Sequence, residues 1–376
     1  MRTKTSNMNN KPRIKQVQED LNLTIKELSD AYEELSILYN LAQTFTGLTI
    51  DQICNKLLDE IQTMFGVKTA AIMLLDEEND ELYTAVSTGK WPPEQTFKKG
   101  NNTAWNALKK NRPEIFSCKK NSRYKNTFQE LDAVLICPLI GKKKIMGAIA
   151  TGKKLSGQDF YSSDMKFLMA VATQAALAIE TASLYTDMEN FFFGTVMAFV
   201  KAIESRSHWT SGHSERVTKY GLAITKEMGM DKNFMERLRI CALLHDIGKI
   251  ATPVELLDKR NALTRDELIE IEQHPLTGYV ILSDLKPFRD ITDGIKYHHE
   301  KWNGNGVHEK LKGEEIPIMS RIIAVADAFD AMTSDRPYRK KMNFSKVIEE
   351  IKTNAGKQFD PDVVRAFLKI KDSLLP

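Results

Sequence analysis

The nine residues Ala242-Leu-Leu-His-Asp-Ile-Gly-Lys-Ile250 place an imidazole and a carboxylate side by side in an apolar segment that reads as a helix. Burying a charge costs several kcal/mol unless it is paired or bound to a metal. The His245–Asp246 pair, flanked by Leu243, Leu244 and Ile247, is therefore either a satisfied core hydrogen bond or part of a site. The histidine distribution favours a site: all seven, at 208, 213, 245, 274, 298, 299 and 308, fall in one stretch of the second half. Imidazole with carboxylate is the usual ligand set for manganese, iron or zinc. Lys249, four residues after His245, would share its helical face, and a metal site with a cation beside it suits a phosphate.

At 376 residues the chain predicts two domains, each large enough to bury a core. Its 53 basic and 50 acidic residues nearly balance, so neither DNA nor a membrane surface is expected as a partner. The cysteines at 54, 118, 137 and 241 form no C-x-x-C pair, which argues against disulfide frameworks and zinc knuckles and suits the reducing cytoplasm. Met1–Arg13 lacks the apolar core of a secretory signal, and Leu168–Ile179 and Phe191–Val200 each fall short of a membrane span.

Residues 1–14 read as disordered. From Ile14 a helix carries Leu21, Thr24, Leu28, Ala31, Leu35, Leu38 and Ala42 at 3-4 spacing, a short heptad pattern expected to pair with its copy in a homodimer rather than only to lie on the following domain. A helix over Ile50–Phe65 precedes a hairpin of Lys68–Asp76 and Glu81–Ser87. Loops then lead to strands Ala133–Ile140 and Lys144–Thr151, joined by a lysine-rich turn, and a helix from Ser162 to about Tyr185 closes the unit. With Cys137-Pro-Leu-Ile140, Met146-Gly-Ala-Ile149, Phe160-Tyr-Ser-Ser-Asp164 and Ala175-Ala-Leu-Ala-Ile-Glu180, this order resembles the GAF family of sensor domains over roughly 36–186. Some cyclic-nucleotide-binding GAF domains carry an Asn-Lys pair and Phe-x-x-x-Asp-Glu. The corresponding residues here are Gly152-Lys153 and Phe160-Tyr-Ser-Ser-Asp164-Met165, so a ligand sensor and a ligand-free dimerising domain both stay open. Phe191–Val200 follows so closely that a nearly continuous helix is expected to join the domains.

Beyond Ile203, polar clusters interrupt helical segments: Thr210-Ser-Gly-His213, His245-Asp246 with Lys249, His274-Pro275, His298-His-Glu300, and Asp327-Ala-Phe-Asp330 on an apolar helix. Thr264-x-x-Glu267 reads as a capping box. With Leu311-Lys-Gly-Glu-Glu-Ile-Pro317 and Thr333-Ser-Asp-Arg-Pro-Tyr-Arg339, the stretch from about 191 onward resembles the HD-GYP branch of the HD metal-dependent phosphohydrolases, bacterial phosphodiesterases that degrade cyclic di-GMP. By position, the resemblance carries metal-ligand roles to His213, His245, Asp246, His274, His298, His299 and Asp327. They would hold two divalent transition-metal ions, iron or manganese or else zinc, bridged by Asp246. It implies phosphate or nucleotide contacts for Lys249, Arg336 and Arg339, and hydrolysis to pGpG or GMP in which Asp246 and Lys249 take part.

The family's His-His-Glu-x-x-Asp-Gly-x-Gly-Tyr-Pro reads here His298-His-Glu-Lys-Trp-Asn303-Gly-Asn-Gly-Val307-His308. The 303–308 loop is therefore where substrate preference, or contact with signalling partners such as diguanylate cyclase domains, is expected to differ. Some members hold a third ion with a glutamate four residues before the first ligand histidine; that position is Trp209, and an indole offers no lone pair. Two alternatives remain, an HD phosphohydrolase of another nucleotide and a metal- and nucleotide-binding signalling module with little turnover. The expected architecture is multidomain. A disordered start and coiled-coil-like helix (1–35) precede an α/β (α+β) GAF-like domain with a central antiparallel sheet (36–186), joined by a long helix to an all-α HD-type domain (187–376).

Overall fold

The computed structural model describes residues 10–91, 96–100, 103–117, 133–207, 211–259, 261–335 and 339–374. They belong to two compact units, Met1–Glu189 and Asn190–Pro376.

The first unit begins with α1 (Asn10–Thr44) and α2 (Ile50–Phe65). A reciprocal capping box between Thr49 and Gln52 starts α2, and Gly66, at a left-handed φ of 57°, ends it. The strands are β1 (Ala70–Asp76), β2 (Glu81–Thr88), β3 (Thr96–Lys98), β4 (Glu114–Ser117), β5 (Ala133–Ile140) and β6 (Ile145–Thr151), with α3 (Thr103–Lys110) before β4. They form one antiparallel sheet in the order β3-β2-β1-β6-β5-β4. The central strands read as unbroken apolar runs because both faces are covered. Ile72, Leu135, Cys137 and Ile149 pack with Leu57 and Ile61 of α2 and with Leu168 and Val171 of the last helix. Met73, Val134, Ile136 and Ala148 pack with Trp91, Phe97, Trp105 and Leu108 on the other side. The lysine-rich turn between β5 and β6 is pinned: the buried Glu180 accepts from the amides of Lys142 (2.6 Å) and Lys143 (3.1 Å).

The closing helix, expected to reach about Tyr185 and to continue almost unbroken into the joining helix, is the single helix α4 from Ser162 to Glu204. Joined in this way, the two apolar stretches expected to fall short of a membrane span do give a helix long and apolar enough to cross one by length and composition. Leu168, Val171, Ala172, Ala175 and Ile179 of its first half are core residues of the first unit. Along α1, Leu41 and Phe45 are buried in that core, whereas Ile14, Val17, Leu21, Leu28 and Leu35 are 55–70% exposed, an apolar stripe that no described residue covers.

The second unit is helical: α5 (His213–Glu227), α6 (Lys232–Leu244), a 3-10 turn (Ile247–Ala251), α7 (Val254–Leu257), α8 (Arg265–Ile271), α9 (His274–Ser283), α10 (Thr292–Lys296), α11 (Ile318–Thr333), α12 (Phe344–Thr353) and α13 (Pro361–Ile370). The Thr264–Glu267 capping box is present at the start of α8. Phe329 of α11 is fully buried, with Tyr220 of α5 at 4.9 Å edge-on and Phe367 of α13 at 5.1 Å between ring centroids. Rings of that size bury enough apolar area to lock α11 against α5, and this fixes which polar groups of the two helices meet.

Candidate metal centre

On α11, Asp327 and Asp330 flank Phe329 and lie three residues apart, on the face turned to α5. They bracket the His213 ring. Asp327 Oδ1 is 3.3 Å from Nε2, and Asp330 Oδ2 is 2.7 Å from Nδ1. Arg216, one turn along α5, donates to Asp330 from Nε (2.6 Å) and Nη2 (3.1 Å). Glu204, at the end of α4, accepts from the amides of Gly212 (2.7 Å) and Ser214 (2.8 Å), capping the free N–H groups where His213 begins its helix.

His245 and Asp246 do not sit mid-helix. Helix α6 ends at Leu244, and the chain turns through them into the 3-10 turn, so Lys249 follows a tighter path than the expected helical face. Gly248 permits this, because a Cβ there would collide with the carbonyl oxygen of His274 where the turn meets α9. Arg206 holds the turn from outside, donating to the carbonyls of Lys249 (2.7 Å), Ile250 and Thr252 (2.9 Å). Asp246 thereby lies among three histidines: Oδ2 is 3.5 Å from Nε2 of both His213 and His245, and Oδ1 is 3.1 Å from Nε2 of His274. Lys249 Nζ donates to Oδ2 at 2.6 Å.

The imidazole tautomers follow from the backbone. Nδ1 of His245, His274 and His298 meets the carbonyl of Ala242 (2.7 Å), Ile271 (2.8 Å) and Ile295 (2.6 Å) respectively. A carbonyl only accepts, so each Nδ1 carries the hydrogen and each Nε2 of a neutral ring presents a lone pair. These lone pairs face other acceptors: His274 Nε2 is 3.3 Å from His298 Nε2, and the buried His245 Nε2, 3.5 Å from Asp246 Oδ2, has no hydrogen-bond partner among the described residues. Acceptors converging on acceptors in a buried site fit a cation. Among the described residues, three groups whose ligand atoms lie within 4.8 Å of one another result: His213, His245 and Asp327; His274, His298 and His299; and His245, Asp246 and His298.

Protonation agrees with that donor set at His245, His298, His299, Asp246 and Asp327, whereas His213 would have to give up an Nε2 hydrogen to a bound cation. Burial, reinforced by neighbouring imidazoles, holds His298 well below the usual histidine range and His299 at about 3. Burial also lowers His245. It opposes ionisation of Asp246 and Asp327, but Lys249 beside Asp246 and the hydrogen bond from His213 to Asp327 outweigh it and keep both well below the usual carboxylate value. Burial would lower His213 too, yet hydrogen bonds with Asp246, Asp327 and Asp330 raise it to about 10. His213, His245, Asp246, His274 and His298 are buried, while Asp327, His299 and Lys249 keep partial exposure and so mark the open side.

Of the residues singled out from the sequence, His213, His245, Asp246, Lys249, His274, His298, His299 and Asp327 are brought together here. Arg339 instead donates from Nη2 to the carbonyl of Ala331 at the end of α11 (2.7 Å). Arg336 lies outside the described residues, as do His208 and Trp209. Sequence reasoning gave no role to Asp330, Arg216, Arg206 or Glu300. Asp330 had a signal, its three-residue spacing from Asp327. Glu300, next to the paired histidines, is buried and accepts from the amides of His308 (3.2 Å), Glu309 (2.8 Å) and Lys310 (3.1 Å), fixing the end of the 303–308 loop. Gly306 is required beside it, since a Cβ would overlap Glu300 Oε2.

The chain matches the HD domain family over residues 198–363 and the GAF domain family over 49–181. It is 36% identical over 223 residues to a cyclic di-GMP phosphodiesterase of Thermotoga maritima, covering 58% of this chain and 61% of that protein. It is 38% identical to the 3'3'-cGAMP-specific phosphodiesterase 3 of Vibrio cholerae serotype O1 (48% of this chain, 39% of that one). With the cyclic di-GMP phosphodiesterase response regulator RpfG of Xanthomonas campestris pv. campestris, the identity is 35% (52% and 53%). The aligned region thus spans between 39% and 61% of these relatives' lengths. Residues 49–181 of this chain are a GAF domain, and residues 198–363 belong to the HD domain family.

Proposed function

We propose that this chain is a metal-dependent phosphodiesterase that hydrolyses cyclic di-GMP to pGpG or GMP under the control of its GAF domain. The observation that carries this reading is the position of Asp246, with Oδ2 turned to His213 and His245, Oδ1 turned to His274, and Lys249 beside it. An HD domain implies divalent metal binding, and the clustered lone pairs suit it. On this reading one ion takes His213, His245, Asp246 and Asp327, and the other takes Asp246, His274, His298 and His299. Iron or manganese suits the mixed set best, with zinc next. Such a pair, when bound, supplies Lewis-acid polarisation of a phosphoryl oxygen and an activated water.

The chain's own residues do the rest. Asp246 spans both groups and sets their spacing. Lys249, held to the site by its turn, brings a positive charge to neutralise what develops on the phosphoryl oxygens. The partial exposure of Asp327, His299 and Lys249 supports approach of the substrate from that side. Arg336 and Arg339 are the next candidates for nucleotide contacts.

A second cyclic dinucleotide is a specific rival. The relative at 38% identity is named for 3'3'-cGAMP, and the 303–308 loop, tied at its end by Glu300, is the place to distinguish the two. Metal-loaded protein given each dinucleotide in turn, with products separated by chromatography, decides between them; this reading expects faster loss of cyclic di-GMP. The open stripe on α1 supports a parallel homodimer. The same reading places the protein in the cytoplasm, with the 303–308 loop meeting signalling partners such as diguanylate cyclase domains.

A further inference from the structure

The histidines at the centre differ in what holds the outer nitrogen. For His245, His274 and His298 it is a neutral backbone carbonyl three residues earlier. For His213 it is the carboxylate of Asp330, which is 0% exposed and gripped at both oxygens by Arg216. A charged acceptor makes a stronger hydrogen bond with the N–H it accepts from and makes the opposite nitrogen of the ring a better donor to a metal. The guanidinium meanwhile offsets the cost of burying that charge and fixes its direction. The group containing His213 also owns Asp327, whereas the group of His274, His298 and His299 consists of imidazoles alone.

We propose that Asp330, clamped by Arg216, is a positioning residue that makes the His213–His245–Asp327 position the tighter of two unequal metal positions, leaving the His274–His298–His299 position exchangeable. This rests on reading the centre as a two-ion site, but not on which nucleotide it cleaves. Activity is therefore not the readout, and a protein that binds metal in this way yet hydrolyses no cyclic dinucleotide would sink the proposed function and leave this inference standing.

The test is titration of the metal-stripped full chain with Mn²⁺, followed by calorimetry and by the electron paramagnetic resonance of the free ion. Wild type should bind two ions in steps at least about tenfold apart, and His299→Ala should remove only the weaker step. Asp330→Asn keeps the shape and removes the charge. It should weaken the tighter step about 10- to 100-fold, the range for losing a partner behind a ligand histidine, and leave the weaker step within about twofold. Arg216→Lys keeps Asp330 in place but breaks the two-point grip; it should weaken the same step by less, and it serves if circular dichroism shows Asp330→Asn misfolded. A single affinity class in wild type overturns the inference. So does a folded Asp330→Asn protein with both steps unchanged, or one in which the weaker step suffers most.

Discussion

Nε2 of His274 and Nε2 of His298 stand 3.3 Å apart, each ring having given its Nδ1 hydrogen to a backbone carbonyl. Two lone pairs so placed repel unless a cation lies between them, so metal should contribute to folding stability as well as to chemistry. With free metal at about 100 times its dissociation constant, binding to the folded state adds about 2.7 kcal/mol. For a unit of this size that corresponds to a rise of about 5–10 °C in melting temperature. Calorimetry of Mn²⁺-loaded and chelator-treated protein checks it, and coincident transitions would contradict it.

Arg206 donates to three carbonyls around the Lys249 turn yet touches none of the proposed ligands. Arg206→Ala should therefore retain its metal while turnover falls on the order of 10- to 100-fold, the scale of a catalytic group displaced by about an ångström. Lys249→Ala should show the same split between metal content and rate. Elemental analysis beside steady-state kinetics reads both quantities; loss of metal in step with rate would place Arg206 in the metal centre itself.

Gly248→Ala would push a methyl group into the backbone of His274. Because the obstacle is backbone, relief requires the turn and α9 to separate, at a cost of about 1–3 kcal/mol or more. Asp246 and His274 should then part. The expected outcome is a lower melting temperature together with reduced metal occupancy, whereas a stable, fully loaded variant would show the contact to be soft.

The stripe on α1 predicts that the full chain sediments as a dimer at micromolar concentration. Leu28→Glu with Leu35→Glu, both at exposed heptad positions, should yield a folded monomer. A monomeric wild type would contradict pairing through the stripe.

Legibility in the sequence tracked the length and regularity of each signal. Helix α2 and strands β1, β2, β5 and β6 announce themselves as amphipathic or unbroken apolar runs. Strands β3 and β4 are three and four residues long, and α3 only eight, too short for a period to register. The nearly continuous helix expected from the closeness of Phe191–Val200 to the closing helix is present as α4, since a helix already propagating passes through the polar residues around Asp187–Asn190 at little cost. At the site, imidazole and carboxylate side chains within apolar segments were conspicuous. The groups that aim them were not: Arg206 and Glu300 act through backbone carbonyls and amides, which carry no residue identity. Asp330 was visible as a second aspartate on α11, but the partner it meets, His213, lies 117 residues away in the chain.

In the proposed function Asp246 joins two metal positions into one hydrolytic centre. The most direct test is to give cyclic di-GMP to wild type and Asp246→Asn, each prepared with Mn²⁺ and with Fe²⁺, and to measure metal per chain and linear or mononucleotide product in the same samples. Wild type should carry two ions and form pGpG or GMP, whereas Asp246→Asn should hold fewer ions and form no product. Wild type with full metal occupancy and no product, or an Asp246→Asn protein with wild-type metal and turnover, would contradict the account.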